Sequence, residues 1–384
     1  MKKVVGLLLS LVIVVGVVFY FYEVPKVDKK SNSKEIITLK DKDVENSIFK
    51  KYYKKAIKVV DKMSLEEKIG QLFLVRYEYN DTKYLSNFYP GGYILFAKDF
   101  ENHTKESMKN EIKEVNDMNK YPLILGVDEE GGFVTRVSRF KAFREEKFKA
   151  PKDYYLEGGY KLLEEKENEK LSLLKDLGLN LNLAPVADLS VNKDDFIYNR
   201  TFGEDKDKTS QYITNMVKYA NNNKMNSCLK HFPGYGNNKD THTGIAIDER
   251  SYETFENEDY LPFKAGIKEN VPTILVSHNI VKAMDDKYPA SLSKKVITEL
   301  REKLKFSGII MTDDLEMEAV KSYVAEGKAA TMAINAGNDM IITSDFESMK
   351  DEVINSYNNK EITDETLNKA VIRIISWKYY SNIM

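Results

Sequence analysis

The chain has 384 residues, of which 42% are hydrophobic and 31% are charged, and its formal net charge is −2. This composition is typical of a globular protein, and the near balance of charge gives no indication of a nucleic-acid partner. Because Cys228 is the only cysteine, an internal disulfide bond is excluded.

The first 23 residues differ from the rest of the chain. Lys2 and Lys3 precede an uncharged apolar run over residues 4–22. A helix needs about 20 apolar residues to cross a bilayer, and no small-residue cleavage site follows the run. We expect residues 1–23 to form a single-pass transmembrane helix with the rest of the chain outside the cytoplasm. The alternative is a cleaved signal peptide and a secreted protein.

Residues 24–56 are rich in Lys, Asp, Ser and Asn and show little apolar periodicity. This pattern predicts a tether that begins to order near Ile48. The globular domain is assigned to residues 57–384. Near its start Ser64 is followed three residues later by Glu67, which is the capping-box signature of a helix start.

Eight short apolar runs alternate with helical stretches along this domain. The runs are residues 71–75, 92–96, 123–127, 179–185, 226–230, 273–276, 308–311 and 339–343. Helical periodicity is found, for example, over residues 105–118, 208–223, 294–304 and 319–336. Continuously apolar strands that alternate with helices favour a parallel sheet buried on both faces. Eight such units predict an α/β fold, a single (β/α)8 TIM-type barrel.

Polar residues cluster directly after five of these runs. The clusters are residues 128–132, 185–188, 230–234, 277–279 and 312–314. In a (β/α)8 barrel the reactive groups lie at the carboxyl ends of the strands. We therefore expect the active site to be built from these clusters.

The segment Asp240-Thr241-His242 combines a carboxylate with an imidazole two residues later. A carboxylate beside a histidine favours the protonated ring, which can then serve as general acid and general base. A solvated loop histidine is the alternative. A metal site formed with His231 is disfavoured, because no compact ligand spacing is present. No metal and no cofactor are therefore predicted.

Two adjacent carboxylates, Asp313 and Asp314, follow the seventh run. One can face the barrel mouth as the nucleophile of a retaining glycosidase, while the other caps the start of the following helix. Spacing alone leaves open the alternative that both only stabilise a helix start.

Together these segments resemble the single-domain β-N-acetylglucosaminidases of glycoside hydrolase family 3. The resemblance runs from about residue 63 to about residue 378. It is carried by residues 126–136 (GVDEEGGFVTR), 182–188 (NLAPVAD), 200–205 (RTFGED), 230–236 (KHFPGYG), 240–242 (DTH), 289–293 (PASLS) and 311–317 (MTDDLEM).

The resemblance implies a role for each candidate residue. Asp313 would be the nucleophile, and His242, held by Asp240, would be the acid/base residue. The residues implied in substrate binding are Asp128, Arg136, Arg200, Lys230 and His231, with His278 placed nearby.

The chain departs from the family pattern at three places. Tyr235 stands where the family usually has a histidine, and Phe133 stands where it usually has an arginine. The loop from Gly236 to Asp240 is one residue shorter than the common form, which leaves the reach of His242 undecided.

The sequence thus predicts a monomeric, retaining exo-β-N-acetylglucosaminidase that acts on peptidoglycan-type or related GlcNAc glycans. Its predicted partners are this glycan substrate and the membrane. A β-glucosidase of the same family and an inactive glycan-binding barrel are the alternatives. The β-glucosidase branch normally takes its acid/base residue from an additional domain. Whether water or phosphate accepts the glycosyl group is left open.

Overall fold

The computed structural model describes residues 47–78, 87–238, 240–241, 244–324 and 327–384. The predicted membrane helix, most of the predicted tether and His242 lie outside these ranges. Within them, no helix has the length and apolarity needed to cross a membrane. The folded part extends into the segment assigned to the tether, because Phe49 is fully buried there.

Eight parallel strands close into a barrel, which confirms the predicted architecture. They are β1 (Phe73–Arg76), β2 (Gly92–Leu95), β3 (Ile124–Val127), β4 (Leu181–Asn182), β5 (Asn226–Phe232), β7 (Thr273–Val276), β9 (Ile309–Asp314) and β10 (Met340–Thr343). Their order around the barrel is β1-β10-β9-β7-β5-β4-β3-β2. A separate two-stranded sheet pairs β6 (Ile247–Asp248) with β8 (Ile280–Val281).

Burial on both faces explains why the strands have continuously apolar sequences. Within the barrel strands only Arg76, Asp313 and Asp314 are partly exposed. All three lie at the carboxyl ends of their strands, where a barrel opens to solvent. Strand β9 extends three residues beyond the predicted run, so that it includes both aspartates.

Helices cover the outside of the barrel. The α-helices are Tyr53–Val60, Leu65–Gln71, Ala97–Phe100, Lys105–Met118, Pro151–Asp176, Lys206–Asn222, Tyr252–Thr254, Tyr260–Lys268, Lys294–Thr298, Glu318–Lys321, Ala329–Ala336, Phe346–Asn358 and Asp364–Tyr380. The 3-10 turns are Lys50–Tyr52, Tyr198–Arg200 and Ala290–Leu292, and the π-helical turns are Phe255–Asp259 and Glu299–Lys303.

Local capping decides where several helices begin. The capping box is confirmed, because Ser64 Oγ accepts from Glu67 N and Glu67 Oε2 accepts from Ser64 N. The helix predicted over 208–223 begins two residues earlier, since Asp205 caps it. The single helix predicted over 319–336 is wrong, because the structure has two helices there with Gly327 in the left-handed region between them (φ +58°).

The C-terminal helix Asp364–Tyr380 closes the floor of the barrel. Lys378 Nζ donates to Gln71 Oε1 (2.7 Å) just before β1. Trp377 Nε1 donates to Asn226 Oδ1 (2.8 Å) at the start of β5. Both contacts are at amino-terminal strand ends, so the mouth at the opposite end is the face left for a substrate.

Candidate active site

A buried cluster of charges occupies the mouth between β3 and β5. Lys230 Nζ donates to Asp128 Oδ1 (2.6 Å) and pairs with Glu130 Oε1 (2.7 Å). Burial would lower the pKa of Lys230, but Asp128 and Glu130 more than offset it and raise the pKa above the ordinary lysine value. Lys230 is therefore a fixed ammonium ion at neutral pH.

Arg200 completes this cluster from the turn Tyr198–Arg200, which follows β4. Its Nε and Nη2 donate to the two carboxylate oxygens of Glu130 (3.1 and 2.7 Å), the bidentate geometry in which guanidinium groups bind carboxylates best. Burial would raise the pKa of Glu130, but Arg200 and Lys230 lower it well below its usual range. Glu130 is thus an ionised anchor for two cations that the sequence predicted to bind substrate.

His231 has a defined tautomer in this site. Arg200 Nη2 lies 3.2 Å from His231 Nε2, and a guanidinium can only donate. His231 Nε2 is therefore the acceptor, and Nδ1 carries the proton that it donates to Asp188 Oδ2 (2.7 Å). Asp188 also accepts from the main-chain nitrogens of His231 (3.1 Å) and Tyr235 (2.7 Å), so it fixes the start of the loop after β5.

The two aspartates at the end of β9 point to different partners. Asp313 Oδ1 accepts from Asp314 N (2.9 Å), and its carboxylate is partly exposed. Asp314 instead accepts from Glu316 N (2.9 Å) and from both N and Oγ of Ser344. Burial raises the pKa of Asp314, and the neighbouring Asp313 adds to this effect. Asp314 is therefore the carboxylate that holds the following turn.

His278 supports the same strand end from β7. Its Nε2 donates to the carbonyl oxygen of Asp314 (3.0 Å), and its Nδ1 accepts from Ser291 Oγ (2.7 Å). The side chain is almost fully buried. These contacts make it a support for the main chain beside Asp313, and its predicted role in substrate binding stays a prediction.

The guanidinium of Arg136 lies near the mouth on the loop after β3. Its Cζ is 5.4 Å from the centre of the Phe96 ring. Its Nε is buried and has no hydrogen-bond partner among the described residues. The main chain here is fixed by Glu129, which accepts from Arg136 N (2.7 Å) and Val137 N (2.8 Å). The site thus holds a positioned guanidinium group that can donate to a ligand.

The loop between β5 and β6 carries Asp240, which is partly buried. Burial raises the pKa of the nearby Tyr235 to about 12, the hydrogen bonds from Thr241 lower it, and the carboxylates of Asp240 and Asp313 raise it further. Both carboxylates therefore lie within electrostatic range of one phenol group. His242 lies outside the described residues, so its pairing with Asp240 remains a prediction.

An arginine fixes the two ends of this loop. Arg250 bonds to both carboxylate oxygens of Asp248 (3.1 and 2.8 Å) and of Asp259 (3.2 and 3.0 Å), and it donates to the carbonyl oxygen of Gly234 (3.3 Å). Burial raises the pKa of Asp259 to about 7, against the opposing effect of Arg250. Gly236, at φ +56°, leaves room for this guanidinium, because a Cβ there would be 2.4 Å from Arg250 Cζ.

Two of the groups that build the site were not predicted from the sequence. Glu130 and Asp188 both stand in the polar clusters after β3 and β4, but neither was selected as a functional residue. The sequence signal that could have identified them is their position directly after a buried strand. The predicted residues Asp128, Arg200, Lys230 and His231 are brought together by these two carboxylates.

Comparison with known proteins agrees with this geometry. The family model described as the glycosyl hydrolase family 3 N-terminal domain matches residues 64–377. A beta-hexosaminidase of Nitrosomonas eutropha is 30% identical over 289 residues, which are 72% of this chain and 80% of that protein. A beta-hexosaminidase of Methylobacillus flagellatus is 29% identical over 270 residues, which are 69% of this chain and 76% of that protein.

Solved structures with the same fold were also found. A glycoside hydrolase family 3 beta-N-acetylglucosaminidase from a Paenibacillus species superposes with a TM-score of 0.77 at 24% identity, covering 84% of this chain and 63% of that chain. A beta-N-acetylhexosaminidase from Beutenbergia cavernae gives 0.73 at 21% identity, covering 83% and 99%. These structural similarities support the assignment of the fold. Because the family model spans most of the chain, the protein belongs to glycoside hydrolase family 3 and is a glycosidase.

Proposed function

We propose that the protein is a retaining exo-β-N-acetylglucosaminidase in which Asp313 is the nucleophile and the Asp240–His242 pair supplies the acid and base. The observation that carries this proposal is the hydrogen bond from Ala319 N to the carbonyl oxygen of Thr241 (3.3 Å), which joins the residue after Asp240 to the segment that follows Asp313. It supports a site in which a carboxylate from β9 and the β5 loop act on one sugar. The names of the two beta-hexosaminidase relatives support the choice of an N-acetylated sugar.

The reaction follows from these roles in two steps. Asp313 attacks the anomeric carbon while protonated His242 gives its proton to the departing glycosidic oxygen. The glycosyl–Asp313 ester is then attacked by water, whose proton passes to His242, and the carboxylate is released. The sugar keeps its β configuration, and both side chains return to their starting protonation states.

The buried cations suit recognition of a terminal sugar. Lys230 is held by Asp128 and Glu130. Moving its ammonium group away would leave these buried carboxylates without their partner, which is energetically costly. Asp128 keeps a second oxygen to accept from a sugar hydroxyl. The Arg136 guanidinium can donate to a sugar or acetamido oxygen. Charges fixed in this way suit the hydroxyl and acetamido groups of one terminal sugar, which agrees with the proposed exo mode of action.

We also propose that residues 1–23 tether the enzyme to the outer side of the cytoplasmic membrane. Support comes from the uncharged run over residues 4–22 and the lysines that precede it. This location would bring the enzyme to peptidoglycan-type glycans. Fractionation of cells that express the full chain tests it, and recovery of the protein in the soluble fraction without its first 23 residues would contradict it.

The first experiment compares two chromogenic substrates with the full-length protein. We expect kcat/KM for 4-nitrophenyl N-acetyl-β-glucosaminide to exceed that for 4-nitrophenyl β-glucoside by about 100-fold or more, because a site that bonds an acetamido group rejects the analogue without it. The opposite preference would identify a β-glucosidase. Binding of N-acetylglucosamine without turnover of either substrate would identify a glycan-binding barrel.

The second experiment tests the nucleophile. Asp313→Asn should reduce turnover to background, while Asp314→Asn should keep most of it, since an amide oxygen can still accept from Glu316 N. Circular dichroism checks that both variants fold. Full activity of Asp313→Asn would show that another group attacks.

Nuclear magnetic resonance of the first product, with and without phosphate, reports whether the anomeric configuration is retained and identifies whether water or phosphate accepts the sugar.

A further inference from the structure

Tyr235 stands at one of the three departures from the family pattern, and its hydroxyl has two bonds to one residue. It accepts from Thr241 N (2.9 Å), and it lies 3.0 Å from Thr241 Oγ1. The phenol oxygen accepts the main-chain N–H, and in the second contact either hydroxyl group can be the donor. Among the described residues, both hydrogen bonds of this hydroxyl are therefore made with Thr241.

The tyrosine is itself firmly held. Its side chain is only 3% exposed. Its ring centre lies 5.7 Å from that of Phe196 and 5.6 Å from that of His231. Its main-chain nitrogen donates to Asp188 Oδ1 (2.7 Å), and Asp188 also accepts from His231 Nδ1. The tyrosine is thus fixed with respect to Asp188 and His231.

Thr241 joins two elements of the barrel mouth. It is 2% exposed, and its carbonyl oxygen accepts from Ala319 N (3.3 Å). Ala319 belongs to the helix Glu318–Lys321, which is the next helix after the aspartates of β9. Thr241 therefore has one set of bonds to Tyr235 in the β5 loop and another to the segment that follows Asp313.

We propose that Tyr235 is a positioning residue that sets the distance between Asp240 and the nucleophile strand by holding Thr241. The inference rests on the proposed function. Asp240 directly precedes Thr241, so fixing the Thr241 main chain fixes the base of the Asp240 side chain. A phenol hydroxyl reaches further from the backbone than an imidazole nitrogen, which suits a loop one residue shorter than the common form.

The rest of the loop does not depend on this hydroxyl. Arg250 binds Asp248, Asp259 and the Gly234 carbonyl oxygen, and none of these groups touches the Tyr235 phenol. Removal of one oxygen atom from Tyr235 therefore leaves the loop ends in place. The effect should be confined to the position of Thr241 and its neighbours.

The kinetic test uses Tyr235→Phe with two N-acetyl-β-glucosaminides. We expect kcat/KM, which reports the steps up to glycosylation, to fall about tenfold for a substrate with a poor leaving group, such as the methyl glycoside, as for the loss of one or two hydrogen bonds. The 2,4-dinitrophenyl glycoside needs little protonation of its leaving group, so its kcat/KM should change less than about twofold. The basic limb of the pH profile should move to lower pH, because an imidazolium less well placed beside Asp240 loses its proton more easily.

Two control variants separate positioning from packing. Phe196→Leu alters the ring contact but leaves the hydroxyl, and it should not change the dependence on leaving group. Thr241→Val combined with Tyr235→Phe should be little worse than Tyr235→Phe alone, because the two changes remove one shared interaction. An equal fall in kcat/KM on both substrates in Tyr235→Phe, or no fall on either, would overturn the inference.

A measurement without substrate keeps the inference separate from the proposed function. Amide hydrogen exchange of the Thr241 N–H should be faster in Tyr235→Phe than in the wild type, and unchanged in Phe196→Leu. Equal exchange in Tyr235→Phe and wild type would refute the positioning role. Failure of the proposed function shows instead in the wild-type protein, as absence of hydrolysis of both glycosides.

Discussion

Lys378 allows a test of the electrostatics of the barrel floor, because a buried amine makes the stability of the protein depend on pH. The side chain is completely buried, and its Nζ donates to Gln71 Oε1 (2.7 Å). Burial lowers the pKa of this amine from 10.5 to about 7 in the folded protein. Replacement by methionine keeps most of the volume and removes the titration. The free energy of unfolding of Lys378→Met should therefore depend on pH differently from that of the wild type.

The sign of the effect follows from proton binding. The folded-state pKa of Lys378 is the lower one, so between pH 7 and 10.5 the unfolded chain binds more protons. The stability from this group is fully present above the unfolded pKa and is lost as the pH falls toward the folded pKa. At about 1.4 kcal/mol per pH unit at most, going from about pH 9.5 to about pH 7.5 costs the wild type on the order of 2.5 kcal/mol.

Urea unfolding of both proteins at pH values between these limits measures the effect. The gain of Lys378→Met over the wild type should grow by about 2.5 kcal/mol as the pH falls through this range. Lys54→Met is the matched control, because its side chain is exposed, and its difference from the wild type should stay constant. A constant difference for Lys378→Met, or one that grows toward high pH, would refute the argument.

Two further predictions concern the mouth. Glu130→Gln removes the charge that Arg200 and Lys230 share, so it should lower the free energy of unfolding by about 3 kcal/mol and raise KM, as measured by urea unfolding and steady-state kinetics. An unchanged KM would contradict the anchoring role. Gly234→Ala should lower the melting temperature by several degrees, because φ is +130° and a Cβ would lie 2.2 Å from Asp259 Oδ1. Gly244→Ala, at φ +148° with no atom of the described residues within 4 Å of the added Cβ, should cost less, and equal losses would show that the contact is unimportant.

The barrel could be predicted because its strands have a clear sequence pattern. Burial on both faces requires nearly continuous apolar runs, and each of the eight runs contains or overlaps one barrel strand. The helix predicted over 319–336 failed for a local reason. Apolar periodicity continues through the segment, but Gly327 adopts φ +58°, which is outside the helical region. Gly327 was therefore a signal in the sequence against one continuous helix, even though the apolar periodicity continues through it.

The spacing of the carboxylates after β3 is a sequence signal that points to a further site residue. Residues two apart in an extended segment point to the same side. Asp128 and Glu130 both reach Lys230, whereas Glu129 points away and accepts from the main chain of Val137. The alternation therefore indicates that Asp128 and Glu130 act together. It would have identified Glu130 as a site residue beside Asp128.

The partners of these groups could not be predicted in the same way, because they come from distant parts of the chain. Asp188 meets His231 across 43 residues, Glu130 meets Arg200 across 70, and Asp128 meets Lys230 across 102. Periodicity identifies the ends of strands, but the order of strands around a closed barrel decides which ends are neighbours. Strands β3, β4 and β5 are consecutive in the barrel, and their loops therefore bring the three carboxylates, the two cations and His231 into one cluster. The ionised site is a consequence of that strand order, and each of its charges depends on residues from another strand to remain buried.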